Sequence, residues 1–347
     1  MTKFFEHLSS GAVLYTTKVG AQICGESQKL LAELPQESVD LFITSPPFPL
    51  LRKKAYGNED QNEYVAWLTD FAKLAYAALK PTGSLVIDIG GAYQQGRPVR
   101  SLHQFRALIE FVDKLDYFLA EEFYWFNPAR LPSPTEWVNR QKIRAKDAVN
   151  TVWWLSKTEF PKADISQVRI PYSDSMQRLL RNPEGYYRPK DRPSEHVIGS
   201  AFSFDNGGAL PPNLLVIPNT ESNSFYLRMC QHLDVPSHPA RFPSALPEFF
   251  IRMLTQPGDV VIDFFSGSNT TGRVANDLGR KWLAFEKDHQ YAAASVIRFL
   301  ENHSPERIKR HYEAILSGEE VKLSVIKPAQ LDGYTEGEDE EELLTLF

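Results

Sequence analysis

Short apolar runs alternate with amphipathic stretches along most of the chain. Six runs rich in β-branched and aromatic residues predict strands, and they cover 39–44, 84–89, 117–126, 149–155, 259–264 and 281–286. Apolar residues recur at helical spacing between these runs and predict helices, which cover 64–79, 103–115, 270–278 and 289–300. Strands that alternate with helices of this length are typical of a mostly parallel sheet with crossover helices, so the pattern predicts an α/β fold.

One long segment departs from this alternation. Residues 160–235 are rich in Pro, Asn, Ser and Arg and have weak periodicity. The segment is therefore predicted to be an inserted, loop-rich module rather than part of the alternating sheet.

Composition and charge narrow the class of protein. The 347 residues are 42% hydrophobic and 24% charged, a globular mixture that excludes collagen-like, coiled-coil and mostly disordered chains. The net charge of −6 first argues against nucleic acid as a partner, but seven acids lie within 332–342, and without them residues 1–331 carry +1. Residues 130–192 have thirteen basic and seven acidic side chains. The acidic run is interpreted as a solvated tail, with a regulatory or DNA-mimicking role as the alternative, and the basic stretch is compatible with a phosphate backbone.

Cysteine content, metal ligands and hydropathy exclude several further classes. Cys24 and Cys230 cannot form a disulfide framework, and neither they nor the eight histidines show metal-ligand spacing. The N-terminal residues lack the apolar core of a signal peptide, and no run of about 18 apolar residues occurs. We expect a cytoplasmic protein with no bound metal and no membrane contact.

The first candidate for chemistry is Thr44-Ser45-Pro46-Pro47-Phe48, which directly follows a predicted strand. Two prolines stiffen the turn and remove two N–H donors, which leaves carbonyl groups that only accept hydrogen bonds. With the Ser45 hydroxyl and the flat face of Phe48, this segment suits a planar ring that bears an exocyclic amine. The alternative is an ordinary strand terminator.

The second candidate lies more than 200 residues downstream, in the sequence Asp263-Phe-Phe-Ser-Gly-Ser-Asn-Thr-Thr-Gly272. It follows a predicted strand and opens a predicted helix, where a small-residue turn lets a ligand approach the backbone. The next strand ends in Glu286, and in dinucleotide folds an acid at that place binds ribose hydroxyls. A capping carboxylate is the alternative for Glu286.

These two motifs resemble those of the β-class amino-group DNA methyltransferases, which use S-adenosylmethionine. The resemblance covers about residues 15–300, has the permuted order in which the catalytic motif precedes the cofactor motif, and is greatest to the PvuII-type N4-cytosine enzymes. Phe264 and Asn269 stand where the family usually has Pro and Gly. The resemblance implies a Rossmann-like methyltransferase fold with a mixed seven-stranded sheet, one strand of it antiparallel, and a smaller region for target recognition.

The resemblance also implies the boundaries of the chain and the roles of its residues. It divides the chain into a catalytic half (1–158), a target-recognition insertion (159–235), a cofactor-binding half (236–305) and a C-terminal extension with the acidic tail (306–347). The catalytic residues are Ser45, Pro46, Pro47 and Phe48. The expected contacts of S-adenosylmethionine, whose product is S-adenosylhomocysteine, are Glu26, Phe242, Pro243, Asp263, Phe264, Phe265, Ser266, Gly267, Ser268, Thr270 and Glu286.

The implied partner is double-stranded DNA, from which the target nucleotide is flipped out so that Phe48 can stack on it. Phosphate contacts are expected from basic residues in two runs, Arg52, Lys53, Lys54 and Arg140, Lys142, Arg144, Lys146. Ser45 favours cytosine N4 over adenine N6, because N6 enzymes usually have Asp or Asn there. Adenine N6 methylation, a non-catalytic DNA-binding module and an RNA or small-molecule methyltransferase remain alternatives. A cognate restriction endonuclease is a further expected partner, and the chain is expected to be a monomer or a homodimer.

Overall fold

In the computed structural model, residues 8–48, 63–94, 96–182, 204–220 and 224–324 are described. Ten strands form one sheet in this part of the chain, namely β1 (Gly11–Thr16), β2 (Gly20–Gly25), β3 (Val39–Thr44), β4 (Leu79–Ile89), β5 (Phe118–Phe126), β6 (Val149–Ser156), β7 (Leu214–Val216), β8 (Val260–Asp263), β9 (Lys281–Glu286) and β10 (Val321–Lys322).

Nine α-helices accompany these strands in the described ranges. They are α1 (Ser27–Ala32), α2 (Tyr64–Ala78), α3 (His103–Leu115), α4 (Asp174–Arg181), α5 (Phe225–His232), α6 (Ala245–Leu254), α7 (Thr270–Asp277), α8 (His289–Ala294) and α9 (Pro305–Leu316). A π-helical turn covers Glu136–Arg140, and 3₁₀ turns cover Ile165–Val168 and Ser295–Phe299. The four predicted helices are present, although the last one is α-helical only to Ala294.

The strand order is β10-β1-β2-β9-β8-β3-β4-β6-β5-β7. Within it, β2-β9-β8-β3-β4-β6-β5 is a run of seven strands in which β6 alone is antiparallel to the others. The predicted number of seven is nevertheless wrong, because β1 and β10 extend one edge of the sheet and β7 extends the other. The α/β class and the mixed sheet are confirmed.

The sheet brings the two sequence motifs together. β3 and β8 are parallel neighbours, with Leu41 opposite Val261 and Phe42 opposite Ile262. The carboxyl ends of parallel neighbours meet at one edge of a sheet, where α/β proteins bind their ligands. The segment after β3 therefore lies beside the turn after β8, as the permuted order requires.

Side chains pack into an apolar cluster on each face of the sheet. One cluster contains buried residues of α1, α2 and α3, including Leu68 and Phe111. The other contains residues of α6, α7 and α9, including Phe250 and Ile308. No helix in the described part of the chain is long and apolar enough to cross a membrane.

β4 begins at Leu79 rather than at Ser84, where the predicted strand starts, so it includes residues 80–83, whose Pro81 and Gly83 are typical of a turn. Val39 pairs with Leu79 and Leu41 with Ser84, so the register shifts across residues 80–83. The Pro81 and Gly83 signals thus mark an irregularity within a strand, a place where both residues are tolerated.

The described parts of the loop-rich segment include α4, β7 and α5. An isolated bridge between Ile170 and Ala209 closes one loop of it. β7 pairs with β5 through Leu214 and Tyr124, so these residues continue the sheet at its edge.

Candidate active site

The candidate catalytic segment begins where the fully buried strand β3 ends. The hydroxyl of Thr44 donates a 2.7 Å hydrogen bond to Asp263 Oδ1 at the end of β8. Asp263 also accepts from the Phe265 N–H and, through Oδ2, from the Thr271 hydroxyl at 2.7 Å. Asp263 therefore fastens the cofactor turn to the strand that carries Ser45.

The Ser45 hydroxyl donates a 3.0 Å hydrogen bond to Asp88 Oδ2 on the neighbouring strand β4. Asn150, on β6, donates from Nδ2 to the other oxygen of Asp88 at 3.0 Å. Because an ionised carboxylate only accepts hydrogen bonds, Ser45 must use its proton toward Asp88. The lone pairs of Ser45 Oγ are then free to accept a hydrogen bond from a substrate.

Burial raises the pKa of Asp88 to about 6, although hydrogen bonds from Asn150 and Ser45 oppose the shift. Asp263 shows the same balance, since burial raises its pKa to about 6 against the hydrogen bonds of Thr271 and Thr44. Buried carboxyl groups with pKa values near neutrality are typical of active sites. Asp88 is hydrogen-bonded to the candidate catalytic segment, and Asp263 begins the cofactor turn.

Phe48 packs against Gly90, the residue that follows β4. A methyl group placed at Gly90 would lie 2.5 Å from Phe48 Cε2, which is too close for a real contact. Only glycine at position 90 therefore lets the ring lie in this place. Pro46 is buried, whereas Ser45, Pro47 and Phe48 are half-buried at the carboxyl edge of the sheet.

The cofactor turn contains residues with two different orientations. The Phe264 side chain is buried and stacks on Phe71 at a ring-centroid distance of 5.7 Å, so only its backbone faces the turn. Phe265 is partly buried against Trp67 and Phe71. Phe264 thus fills the core at a position that is usually Pro in the family that the motifs resemble.

Asn269 explains the second departure from the family pattern. Its φ angle is +55°, in the left-handed region that Gly prefers and that Asn tolerates better than other residues. Its Oδ1 accepts the Gly272 N–H at 2.9 Å and caps α7, while its Nδ2 donates to the Tyr15 hydroxyl at 3.0 Å. Asn269 therefore keeps the backbone shape that Gly would give and adds two hydrogen bonds.

Glu286 lies at the end of β9 and faces the turn. Its carboxylate accepts the Gly267 N–H and the Asp288 N–H, both at 2.9 Å, and burial raises its pKa. Glu26 forms an ion pair of 2.8 Å with Lys287, the residue after Glu286. The structure thus brings both acids to the same side of the candidate cofactor site.

The remaining predicted cofactor contacts surround the same turn. His238, at the start of the segment that contains Phe242 and Pro243, packs its ring against Gly267. Ser268 is buried, and its carbonyl and hydroxyl accept from Arg298 at 2.8 and 2.9 Å. The turn is completed by Ser266, whose hydroxyl accepts from Gln22, and by Thr270, the first residue of α7. A cavity of about 200 Å³ is lined by several residues of this region, including Ser224, Ser244, Thr270, Arg273 and Arg298.

The predicted phosphate-contacting residues fall into two groups. Arg52, Lys53 and Lys54 lie outside the described residues. Arg140, Lys142, Arg144 and Lys146 are all exposed on and after the π-helical turn. Lys146 donates to the Arg130 carbonyl at 3.3 Å, and Arg130 reaches Asn150 Oδ1 at 3.4 Å. The second group is therefore connected to the candidate active site through Arg130.

Three polar residues of this site are absent from the sequence-based assignment: Asp88, Asn150 and Arg130. Asp88 and Asn150 are polar residues within otherwise apolar strands, a pattern that can mark a functional strand end. Their pairing depends on the order of β3, β4 and β6 in the sheet, which the motifs do not report. Among the described residues, no cluster of His, Cys, Asp and Glu is arranged to hold a metal ion.

The sheet is mixed, and it carries a small-residue turn after β8, an acid at the end of β9 and a Ser-Pro-Pro-Phe segment after β3. Together these features define a Rossmann-like methyltransferase. The chain belongs to the DNA methylase family, whose model (N6_N4_Mtase) matches residues 39–296.

Curated relatives and one solved structure agree with this family. The chain is 57% identical over 313 residues to the Type II methyltransferase M.PvuII of Proteus hauseri, covering 90% of this chain and 93% of that protein. It is 25% identical over 268 residues to the Type II methyltransferase M.BglII of Bacillus subtilis, covering 77% and 65%. The solved structure of the cytosine-N4-specific PvuII DNA methyltransferase superposes with a TM-score of 0.74 at 50% identity, covering 91% of this chain and 99% of that one.

Proposed function

We propose that this protein transfers a methyl group from S-adenosylmethionine to the exocyclic N4 of a cytosine in double-stranded DNA. The observation that carries the proposal is the hydrogen bond from Ser45 to the buried Asp88, which uses the Ser45 proton and leaves the lone pairs of its oxygen to accept from a substrate. The likeness to a cytosine-N4-specific enzyme over 91% of the chain supports the same base and atom.

The residues around the turn after β8 fit S-adenosylmethionine. Glu286 carries a carboxylate suited to ribose hydroxyls, and its present partners are the backbone N–H groups of Gly267, in the turn, and of Asp288, after β9. Gly267, with a φ of +51°, gives the turn a shape that other residues rarely adopt, and the His238 ring fills the space that a side chain would need. Thr270 begins α7 directly after the turn, so the N-terminus of that helix lies beside the candidate cofactor site and suits a carboxylate. The bound cofactor would supply an activated methyl group on a positively charged sulfur.

Ser45 and Pro46 activate the base amine by accepting hydrogen bonds from its N–H groups, and the methylated amine, which is acidic, releases one proton after the transfer. The lone pair of such an amine is delocalised into the ring, so the nitrogen is a poor nucleophile until it becomes tetrahedral. Ser45 Oγ and the Pro46 carbonyl each accept one N–H, which favours that geometry. Asp88 holds the Ser45 proton and thereby fixes the direction of acceptance, so catalysis depends on preorganised acceptors.

Phe48 and Gly90 provide the apolar surface for the base. The ring of Phe48 packs against Gly90 and would stack on an extruded nucleotide. The flipped base would then lie between this ring and the Ser45 hydroxyl. Arg130 and the exposed basic residues at 140–146 lie in the connection between β5 and β6, which leads to Asn150, and would bind the DNA backbone.

Adenine N6 methylation is less well supported than cytosine N4 methylation. Ser45, rather than Asp or Asn, begins the Pro-Pro segment, and the first relatives above include a cytosine-N4-specific enzyme. A non-catalytic DNA-binding role is also less well supported, because the hydrogen-bonded set Ser45, Asp88 and Asn150 is intact.

Two finer statements belong to the same proposal. Residues 159–235 would supply base contacts, with 1–158 and 236–305 as the catalytic and cofactor-binding halves. The biological partner would be a restriction endonuclease that recognises the same DNA site. The similarity to Type II methyltransferases supports this part of the proposal.

The experiment that tests the function is expression in a host without DNA methylases, followed by digestion of its DNA to nucleosides and mass spectrometry. N4-methylcytosine is expected, and it should be absent when the host expresses Ser45→Ala. N6-methyladenine alone would overturn the assignment of the base, and the absence of any methylated nucleoside would overturn the proposed activity.

A further inference from the structure

A series of polar side chains leads from the catalytic segment to a basic residue at the surface. Ser45 donates to Asp88 at 3.0 Å, and Asn150 donates from Nδ2 to the other Asp88 oxygen at 3.0 Å. Arg130, in the connection between β5 and β6, donates from Nη1 to Asn150 Oδ1 at 3.4 Å. Asp88 and Asn150 are buried and Arg130 is half-buried, so the series runs from the interior of the protein to its surface.

The backbone of Arg130 is held by a turn that follows β5. The Arg130 N–H donates to the Asn127 carbonyl at 3.2 Å, and Lys146 donates to the Arg130 carbonyl at 3.3 Å. Asn127 Oδ1 accepts the N–H groups of Ala129 and Asn219, each at 3.1 Å, which joins the turn to the residues after β7. Arg130 is therefore placed by a hydrogen-bonded turn and differs in this respect from a solvated surface arginine.

The charges around Asp88 show what Arg130 contributes. Burial raises the Asp88 pKa to about 6. The hydrogen bonds of Asn150 and Ser45 oppose this shift, and so does the positive charge of Arg130. The Tyr64 hydroxyl, from α2, also interacts with Asp88, but burial raises its pKa and it stays neutral. In the part of the chain that the structure describes, Arg130 is thus the one cation that favours the Asp88 carboxylate.

We propose that Arg130 is a positioning residue that keeps Asp88 ionised and thereby keeps Ser45 an acceptor of hydrogen bonds. This inference rests on the proposed methyl transfer to a base amine. A protonated Asp88 can donate to Ser45 Oγ and occupy the lone pair that the amine needs. The charge of Arg130 acts against this protonation, and its hydrogen bond keeps the Asn150 amide turned with Nδ2 toward the carboxylate. A guanidinium has several N–H donors, so Arg130 can bind a phosphate as well.

The pH dependence of kcat, at saturating DNA and S-adenosylmethionine, tests this role. Without the charge, the fall of kcat on the acid side should move to higher pH by about half a pH unit, because Asp88 then holds its proton more tightly. At still lower pH this shift reduces kcat about threefold. Arg130→Gln removes the charge but keeps an N–H donor for Asn150, whereas Arg130→Lys keeps the charge. We therefore expect the shift in the Gln variant and the wild-type profile in the Lys variant.

Arg144→Gln is the matched control for a role in DNA binding. Arg144 lies in the same connection and is also a proposed phosphate contact, but its side chain donates to the carbonyls of Ile143 and Pro98. This variant should raise KM for DNA and keep the wild-type pH profile of kcat. A wild-type profile for Arg130→Gln, or an equal shift in Arg144→Gln or Arg130→Lys, would overturn the role of Arg130.

A second measurement needs no substrate and separates this inference from the proposed function. Carbon NMR of protein with isotope-labelled aspartate carboxyl groups follows the titration of Asp88, and Asp88→Asn identifies its signal. The titration should move to higher pH in Arg130→Gln and stay in place in Arg130→Lys. This shift in a protein that forms no N4-methylcytosine would overturn the proposed function alone. Formation of N4-methylcytosine together with an unshifted titration would overturn this inference alone.

Discussion

Thr44 Oγ1 donates a 2.7 Å hydrogen bond to Asp263 Oδ1, which joins two motifs that are 219 residues apart in the sequence. Thr44 precedes the Ser45 acceptor, and Asp263 opens the turn proposed to hold the methyl donor. The contact therefore sets the distance between the proposed nucleophile site and the cofactor site. Asp263 also accepts a hydrogen bond of the same length from the hydroxyl of Thr271, in the first turn of α7.

Replacing Thr44 with Val should reduce both stability and turnover. The loss of a buried hydrogen bond to a carboxylate is expected to lower the free energy of unfolding by about 1–3 kcal/mol. Thr271→Val is the matched control, since both hydroxyls are buried and bind the same carboxylate. Urea denaturation should show similar losses for both variants, whereas kcat should fall further for Thr44→Val. Equal effects on kcat would argue against a role of Thr44 in relative positioning.

Ser45→Ala should lower kcat by about 10²- to 10³-fold, because it removes an acceptor that acts on the amine during transfer. The Ser45 hydroxyl is hydrogen-bonded to Asp88 on β4 rather than to the cofactor turn. The affinity for S-adenosylmethionine, measured by calorimetry, should therefore change little. Normal turnover by this variant would contradict the proposed chemistry, and loss of cofactor binding would indicate a different role for Ser45.

Asp88→Asn should inactivate the enzyme without unfolding it. An amide at position 88 can donate to Ser45 Oγ and thereby occupy the lone pair that the base amine needs. Burial raises the Asp88 pKa from 3.8 to about 6, so the folded state binds its proton more tightly than the unfolded state. The contribution of protonated Asp88 to the free energy of unfolding is therefore lost as pH rises from about 4 to 6. Asn at this position does not ionise, so the variant does not lose stability in this way.

The pH dependence gives this variant a second measurement. Wild-type kcat should fall as pH decreases through about 6, because protonated Asp88 can donate its proton to Ser45 Oγ and occupy the lone pair that the base amine needs. Thermal melting of Asp88→Asn at neutral pH should be at or above that of the wild type. A markedly lower melting temperature would indicate that Asp88 is required for folding rather than for activity.

Asn269→Ala should destabilise the protein more than Asn269→Gly does. Both lose the bonds to Gly272 and Tyr15, but only Gly adopts the φ of +55° without strain. Tyr15→Phe is the control that removes only the Tyr15 hydroxyl. Chemical denaturation should therefore rank the Ala variant as the least stable of these, and an Ala variant as stable as the Gly variant would contradict the importance of backbone strain.

The sequence predicted the elements that depend on local patterns and left out those that depend on pairing. The strands 39–44 and 281–286 have the predicted bounds. An apolar run of this length indicates a buried strand whichever strands it pairs with. β7 and β10 have three and two residues, too few for any pattern to be visible. Asp88 joins Ser45 only because β4 is placed beside β3, a contact across 43 residues that no motif contains.

The exposed basic loop after the π-helical turn should determine the salt dependence of DNA binding. Lys142→Ala is expected to reduce the slope of log K against log salt by about 0.9, because each phosphate contact releases about one counterion. Lys309→Ala is the control, since Lys309 is a comparable exposed lysine on α9. Fluorescence anisotropy with a duplex of arbitrary sequence, measured at several salt concentrations, gives the slope for each protein. An unchanged slope for Lys142→Ala would place the phosphate contacts elsewhere, and an equal change for both variants would indicate a general effect of net charge.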